Sequence, residues 1–169
     1  YNIDKKYPVN DLIELLLIDK IVGVANGKAE FGPRALGNRS LLADPRDPDI
    51  KDKVNRIKQR QEFRPFAPVI RQEDVAQYFD VGNTFQSPYM QQVVTCKNPE
   101  QFPAIVHKDG TSRVQTVEKS EHAGLYSLLT KWKEETGCPM LLNTSLNIKN
   151  KPIVNDEDDA MKFEKKYGV

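Results

Sequence analysis

Two arginines within a short stretch rich in glycine and proline are the first residues whose types and spacing suit chemistry. Arg34 and Arg39 lie five residues apart in EFGPRALGNRS. Its two glycines free the backbone and its proline restricts it. Guanidinium groups held this way can bind a phosphate or carboxylate through two parallel hydrogen bonds. The same arginines could instead pair with carboxylates elsewhere in the chain, and this stretch alone does not decide between the two.

Charge along the chain also indicates where an anionic ligand would bind. The 169 residues carry a net charge of +1, with 38% hydrophobic and 29% charged residues, which fits one soluble globular domain. Between Pro33 and Arg71, ten Lys or Arg stand against five Asp or Glu. The small net charge argues against a general nucleic-acid-binding protein, whereas the cationic middle of the chain favours an anionic ligand.

Neither a metal site nor a membrane span is predicted. The cysteines and histidines, Cys96, Cys138, His107 and His122, lack the spacing of zinc ligands. No apolar run approaches the ~20 residues of a membrane-spanning helix. A secretory signal pattern is missing, so we expect a cytoplasmic protein with free, buried thiols. Because the sequence begins at Tyr1, we expect residues 1–169 to be one domain of a longer protein.

Periodicity and turn residues predict an α/β domain. Predicted helices cover residues 9–20 with Asn10 as N-cap, 48–61 with Asp47 as N-cap, 73–79, 122–136, and 155 or 156 to 167. Predicted strands cover 21–25, 40–43, a stretch from 69, 89–96 and 139–142, with a hairpin over 102–117.

Three of these elements would position polar side chains. Lys58 lies with Lys51 and Asn55 on one face of the second helix, and such a face is usually solvated. His107 and Arg113 flank the predicted Asp109-Gly110 hairpin turn and could face one site. Small polar residues, Asn143 to Ser145, follow an apolar strand, where open α/β sheets bind ligands, although they could equally be simple turn residues.

Five sequence blocks resemble the C-terminal domain of the O-carbamoyltransferases, a family that includes nodulation-factor and antibiotic-biosynthesis enzymes. The blocks are EFGPRALGNRS, RPFAP, SPYM, HKDGTSRVQTV and TGCPMLLNTSLNIKNKPIV, in the family's order. The resemblance implies a YrdC-like twisted mixed sheet flanked by helices. It also implies a preceding N-terminal domain of the actin-like ATPase type, which holds the acceptor and a metal.

The resemblance implies that the domain binds ATP and carbamoyl phosphate and forms carbamoyl-adenylate for transfer to an acceptor hydroxyl. Magnesium would accompany the nucleotide. Lys58, Arg64 and Arg113 match the positions of the family's catalytic cations. Ligand-binding positions are matched by Arg34, Arg39, His107, Asn143 and Ser145. Electrostatic stabilisation of phosphoryl oxygens by such cations fits adenylation chemistry.

Two departures from the family pattern and the cationic centre of the chain each favour an alternative function. Leu146 stands where the family usually has an aromatic residue, and Lys149-Asn150-Lys151 replaces an Arg-Gly-Glu stretch. One alternative is an RNA-binding YrdC-like module, although its charge excess is small and few aromatic residues accompany it. The other is a non-catalytic, nucleotide-binding regulatory domain.

Overall fold

A computed structural model describes residues 7–25, 37, 39–59 and 65–146 of the chain. Its helices are α1 (Val9–Asp19), α2 (Pro48–Lys58), α3 (Val75–Tyr78) and α4 (Ala123–Thr136). Its strands are β1 (Ile21–Ala25), β2 (Arg39–Ala43), β3 (Ala67–Arg71), β4 (Val93–Thr95), β5 (Thr111–Arg113), β6 (Gln115–Val117) and β7 (Met140–Ser145). Short 3-10 turns occupy Gln72–Asp74 and Pro99–Gln101. The predicted last helix, from 155 or 156 to 167, lies outside the described residues.

A five-stranded mixed sheet forms the centre of the domain, in the order β1-β2-β7-β3-β6. Neighbouring strands run antiparallel except β3 and β6, which are parallel. Strands β4 and β5 form a separate antiparallel pair. The last strand in sequence, β7, is therefore the middle strand of the sheet. Its apolar residues Met140 to Leu142 are fully buried.

Helices flank this sheet through apolar faces that the sequence pattern predicts only in part. On α1, Leu12, Ile13 and Leu16 are buried, but Leu17, predicted on the same face, is 49% exposed. On α4, Leu125, Leu128, Leu129 and Trp132 are buried, as the periodicity predicts. The helix α4 packs against α1, β3 and β7. Among the described residues, no helix has the length and apolar character needed to cross a membrane.

Local capping signals were right for α2 and wrong for α1. The Asp47 carboxylate accepts a hydrogen bond from the Asp49 amide at 2.9 Å, and Pro48 follows as the first helical residue, as predicted. The helix ends at Lys58, three residues earlier than predicted, because Gln59 adopts a left-handed conformation. Helix α1 begins directly after Pro8 without a side-chain cap, so the predicted cap Asn10 lies inside the helix.

The predicted hairpin over 102–117 is wrong. The turn at Asp109-Gly110 forms, with the Gly110 amide donating to the His107 carbonyl, but the residues before it are not a strand. Strand β5 pairs instead with β4, which is limited to Val93–Thr95 of the predicted 89–96. The Ser112 hydroxyl donates to the Ile105 carbonyl at 2.7 Å, and this bond holds the preceding segment as a loop.

Residues predicted to turn after the last strand belong to the strand itself. Strand β7 continues to Ser145, with Asn143 paired to Leu42 and Ser145 paired to Ser40. The strand is longer than predicted because β2 pairs with β7 as far as Ser145. Asn143 is consequently buried, with 2% of its surface exposed, rather than displayed on a loop.

Candidate functional site

One rim of the central sheet gathers most of the polar side chains singled out from the sequence. Strand β7 ends at Ser145 on this rim, and the neighbouring strands begin there, at Arg39, Ala67 and Gln115. Antiparallel pairing of β7 with β2 and β3 produces this meeting of one strand end with several strand starts. Residues far apart in the sequence are therefore brought to one edge.

Lys58 is directed at the end of β7 from the last turn of α2. Its ammonium group donates hydrogen bonds to the carbonyl oxygen of Ser145 at 2.8 Å and to the hydroxyl of the same residue at 3.1 Å. Only 7% of the Lys58 surface is exposed. The solvated face expected from the helix pattern is thus wrong for Lys58 and for Asn55, which is fully buried.

Contacts with Ser145 orient the ammonium through neutral oxygens. A lysine ammonium has three N–H donors and a compact charge, and bonds to a carbonyl and a hydroxyl fix its position. Burial also reduces the screening of the charge by water. The rim therefore holds a positioned cation, which is the feature that a phosphate or carboxylate ligand requires.

A second pair of buried polar side chains lies on the same face of the sheet. The Asn143 amide nitrogen donates to the Gln115 side-chain oxygen at 2.7 Å, and both residues are at most 3% exposed. Asn143 and Ser145 are two residues apart on β7, so their side chains leave the sheet on one face. Gln115 reaches this face from the edge strand β6, across β3.

The C-terminal end of the arginine-containing stretch is anchored by Gly37. Its carbonyl accepts a hydrogen bond from the Tyr7 hydroxyl at 2.8 Å, and its amide donates to the Ser40 hydroxyl at 3.1 Å. Gly37 has a φ of +111°, and a Cβ there would lie 3.0 Å from Leu125 and 3.1 Å from His122. Glycine is therefore required by both conformation and space.

Arg39 is buried at the start of β2, with 4% of its surface exposed. Its neighbour Ser40 pairs with Ser145, so alternation along the strand directs the Arg39 side chain to the opposite face of the sheet. The strand position does not bring Arg39 to the Lys58–Ser145 pair. Its role in ligand binding stays a prediction.

His107 and Arg113 lie outside this cluster. Both side chains are exposed, His107 in the turn before β5 and Arg113 at the end of that strand, paired with Val93. Neither side chain forms a hydrogen bond or ion pair with the residues that the structure describes. The chain continues from Arg113 through Val114 directly to Gln115 on the rim. Arg34 and Arg64, also predicted at the site, lie outside the described residues, as does the segment Lys149-Asn150-Lys151.

Electrostatic interactions at the start of α2 hold the helix that carries Lys58. A hydrogen bond from Lys20 at 2.7 Å, together with the Asp49 amide, lowers the pKa of Asp47 below its ordinary value.

Burial raises the pKa of the Cys138 thiol to about 11, and the thiols of Cys96 and Cys138 are free, as predicted. Among the described residues, no group of three or more His, Cys, Asp or Glu is arranged to hold a metal ion.

Sequence reasoning missed Gln115 and Asn55. Gln115 stood inside the quoted block HKDGTSRVQTV, and Asn55 shared the helical face of Lys58. A possible signal for Gln115 was its position at the start of a short β-prone run, since a polar residue between buried Val114 and buried Val117 needs a partner. For Asn55, the three-residue spacing from Lys58 was the available signal.

Comparisons with known proteins agree with this architecture. The family described as "Carbamoyltransferase C-terminus" matches residues 13–169. Nodulation protein NolO of Bradyrhizobium diazoefficiens is 42% identical over 145 residues, which cover 83% of this chain and 26% of that protein. The 3'-hydroxymethylcephem-O-carbamoyltransferase of Amycolatopsis lactamdurans is 37% identical over 150 residues, covering 89% and 28%. The chain thus spans about a quarter of the length of these curated relatives.

A solved structure has a similar fold. Full-length HypF, in a phosphate- and nucleotide-bound form, matches 94% of this chain and 20% of its own, with a TM-score of 0.64 and 21% identity. This likeness, which concerns the fold alone, confirms the α/β prediction of a YrdC-like mixed sheet flanked by helices. The family match and the similarity to the named relatives together show that the chain belongs to the carbamoyltransferase C-terminal domain family.

Proposed function

We propose that this domain binds ATP and carbamoyl phosphate and forms carbamoyl-adenylate, which passes its carbamoyl group to an acceptor hydroxyl. The observation that carries the proposal is the buried Lys58 ammonium, held on Ser145 at the rim of the sheet. A positioned cation of this kind fits ligands whose reacting groups are phosphoryl oxygens. Membership of the carbamoyltransferase family supplies the class of the transferred group.

The chemistry needs positioning and charge stabilisation more than a protein nucleophile. Water first cleaves carbamoyl phosphate to carbamate and inorganic phosphate. A carbamate oxygen then bonds the α-phosphorus of ATP, and pyrophosphate leaves as the bond between the α-phosphorus and the bridging oxygen breaks. Negative charge then develops on phosphoryl oxygens, which cations and N–H donors stabilise. We assign this role to Lys58, with Arg64 and Arg113 as further cations. Arg34, Arg39, His107, Asn143 and Ser145 are proposed ligand contacts.

Magnesium would enter the site with the nucleotide, because Mg²⁺ in such sites is held largely by substrate phosphates and water. The acceptor would be held by the N-terminal part of the protein. The relative that is named for carbamoyl transfer is about three times as long as this chain, which leaves room for such a domain.

Binding and turnover measured on one set of variants test the proposal. The full-length protein is titrated with ATP and with carbamoyl phosphate, and pyrophosphate release is followed with both present. Lys58→Met removes the charge and keeps the apolar stem. We expect it to weaken ligand binding about ten- to a hundredfold, the equivalent of a charge-assisted hydrogen bond.

The matched control is Lys53→Met, which removes an exposed lysine from the same helix and should leave binding unchanged. Equal binding by the Lys58→Met variant and the wild type would contradict the assigned role of Lys58. Failure of the wild type to bind ATP or carbamoyl phosphate, or salt-sensitive binding of RNA instead, would contradict the proposed function. Nucleotide binding without pyrophosphate release would indicate a regulatory domain.

A further inference from the structure

The side-chain amide of Gln115 is buried, yet its two halves have different surroundings. Its oxygen accepts the 2.7 Å hydrogen bond from the Asn143 amide nitrogen. Within the part of the chain that the structure describes, its NH₂ group donates to no acceptor. The residue is 3% exposed. The nitrogen is not among the fully enclosed side-chain atoms that lack a partner, so this donor is open to water or a ligand.

Gln115 lies on the same rim of the sheet as the Lys58–Ser145 pair. It is the first residue of β6, on the rim where β7 ends, and Arg113 lies two residues before it. Paired residues of adjacent strands share a face. Gln115 pairs with Val69, and Val69 pairs with Leu141. Leu141, Asn143 and Ser145 are spaced two residues apart on β7, so they share one face of the sheet. The Gln115 amide therefore lies on the sheet face that carries Ser145.

We propose that Gln115 is a ligand-binding residue whose NH₂ group donates a hydrogen bond to an oxygen of the bound carbamoyl phosphate. Asn143 holds the Gln115 oxygen, which fixes the orientation of the amide and turns its donor end towards the ligand. The accepting atom is either a phosphoryl oxygen or the carbamoyl carbonyl. This inference rests on the proposed function, because it concerns a contact within the same site.

Gln115→Glu separates donation to a ligand from support of Asn143. Glutamate keeps an oxygen that can accept from Asn143, so a purely supporting role would survive the substitution. It replaces the NH₂ donor by a negatively charged oxygen, which would repel a phosphoryl group. Gln101→Glu introduces the same charge at an exposed glutamine and serves as the matched control. Thermal melting of each full-length variant reports whether it folds.

Titration with carbamoyl phosphate and, separately, with inorganic phosphate tests the proposal. We expect Gln115→Glu to lower the affinity for carbamoyl phosphate at least about tenfold, a typical effect of losing a hydrogen bond to a charged group, while Gln101→Glu binds like the wild type. A parallel loss of phosphate affinity in Gln115→Met, which adds no charge, would place the accepting oxygen on the phosphoryl group. An unchanged phosphate affinity would place it on the carbamoyl carbonyl.

If Gln115→Glu does not fold, Gln115→Met, which has a similar length and no charge, carries the same expectation. Binding within about twofold of the wild type by a folded Gln115→Glu or Gln115→Met variant overturns the inference and leaves the proposed function intact. If the wild type itself does not bind carbamoyl phosphate, the proposed function fails and this inference fails with it.

Discussion

The hydrogen bonds between Lys58 and Ser145 predict a measurable energetic coupling between α2 and the end of β7. Ser145→Ala removes the hydroxyl acceptor at 3.1 Å and leaves the carbonyl acceptor at 2.8 Å in place. We expect it to lower the free energy of unfolding by about 0.5–1.5 kcal/mol, the usual net value of one hydrogen bond. Lys58→Met removes both bonds and should cost about 1.5–3 kcal/mol, because the donor is charged and buried.

A double-mutant cycle converts this geometry into a number. In the Lys58→Met background the Ser145 hydroxyl has already lost the ammonium, so Ser145→Ala should cost less stability there than in the wild-type background. The coupling energy should therefore be about 0.5–1.5 kcal/mol. Urea unfolding of the wild type, both single variants and the double variant supplies the four free energies, with the denaturant slope checked for constancy.

The exposed residue Lys53 on the same helix provides the control cycle. Lys53→Met combined with Ser145→Ala should be additive within about 0.3–0.5 kcal/mol, as expected of residues that share no contact. If the Lys58 cycle were equally additive, the ammonium would not bond the hydroxyl in solution. The argument that Ser145 orients the cation would then be refuted.

Three further predictions concern the elements around the site. Gly37→Ala should cost about 1–3 kcal/mol in urea unfolding and weaken ligand binding, because φ is +111° and the added Cβ would crowd Leu125 and His122; wild-type stability would refute the contact. Cys138, with a pKa of about 11, should resist alkylation at about pH 8 until urea unfolds the protein, and prompt labelling would contradict its burial. Asp47→Ala should lower stability by about 0.5–2 kcal/mol at neutral pH through loss of the cap. Since the folded pKa of Asp47 is lowered, this difference should shrink as the pH falls below its ordinary value of 3.8, and a difference that grows in acid would contradict the prediction.

Elements with strong local signals could be predicted from the sequence. Helix α2 has Asp47 as cap and Pro48 as its first residue, and α4 ends at Gly137, whose φ is 76°. Such signals involve neighbours in the chain, so no tertiary information is needed to interpret them. The Asn10 cap failed because Pro8 already sets the start of α1, and the Asn10 side chain bonds Lys131 on α4.

Features that depend on distant partners could not be predicted. The turn at Asp109-Gly110 formed as predicted, but which strand β5 would join was decided by β4, nearly twenty residues earlier in the chain. The length of β7 depended on β2, about a hundred residues away, which pairs as far as Ser145. Pairing with β2 therefore makes residues 143–145, which were predicted to follow the strand, part of it.

The residues of the candidate site likewise include some that the sequence predicted and some that it did not. Lys58 and Ser145 were expected at the site from the resemblance to the family, and the structure brings them into direct contact. The helical pattern alone favoured a solvated Lys58, because periodicity identifies a face but not what packs against it. Gln115 was overlooked because the importance of its amide depends on Asn143, which lies 28 residues later.

The sheet order explains how these polar groups come to be held together at the rim. Strand β7 is central, so Asn143 and Ser145 are held by backbone pairing that does not depend on their side chains. Their side chains are then available to orient Gln115 and Lys58, which come from the edge strand and from α2. An oriented amide and an oriented ammonium have already lost most of their rotational freedom before any ligand binds, so binding costs less conformational entropy. The same contacts that complete the fold at this rim are therefore those that would prepare it for a phosphate-bearing ligand.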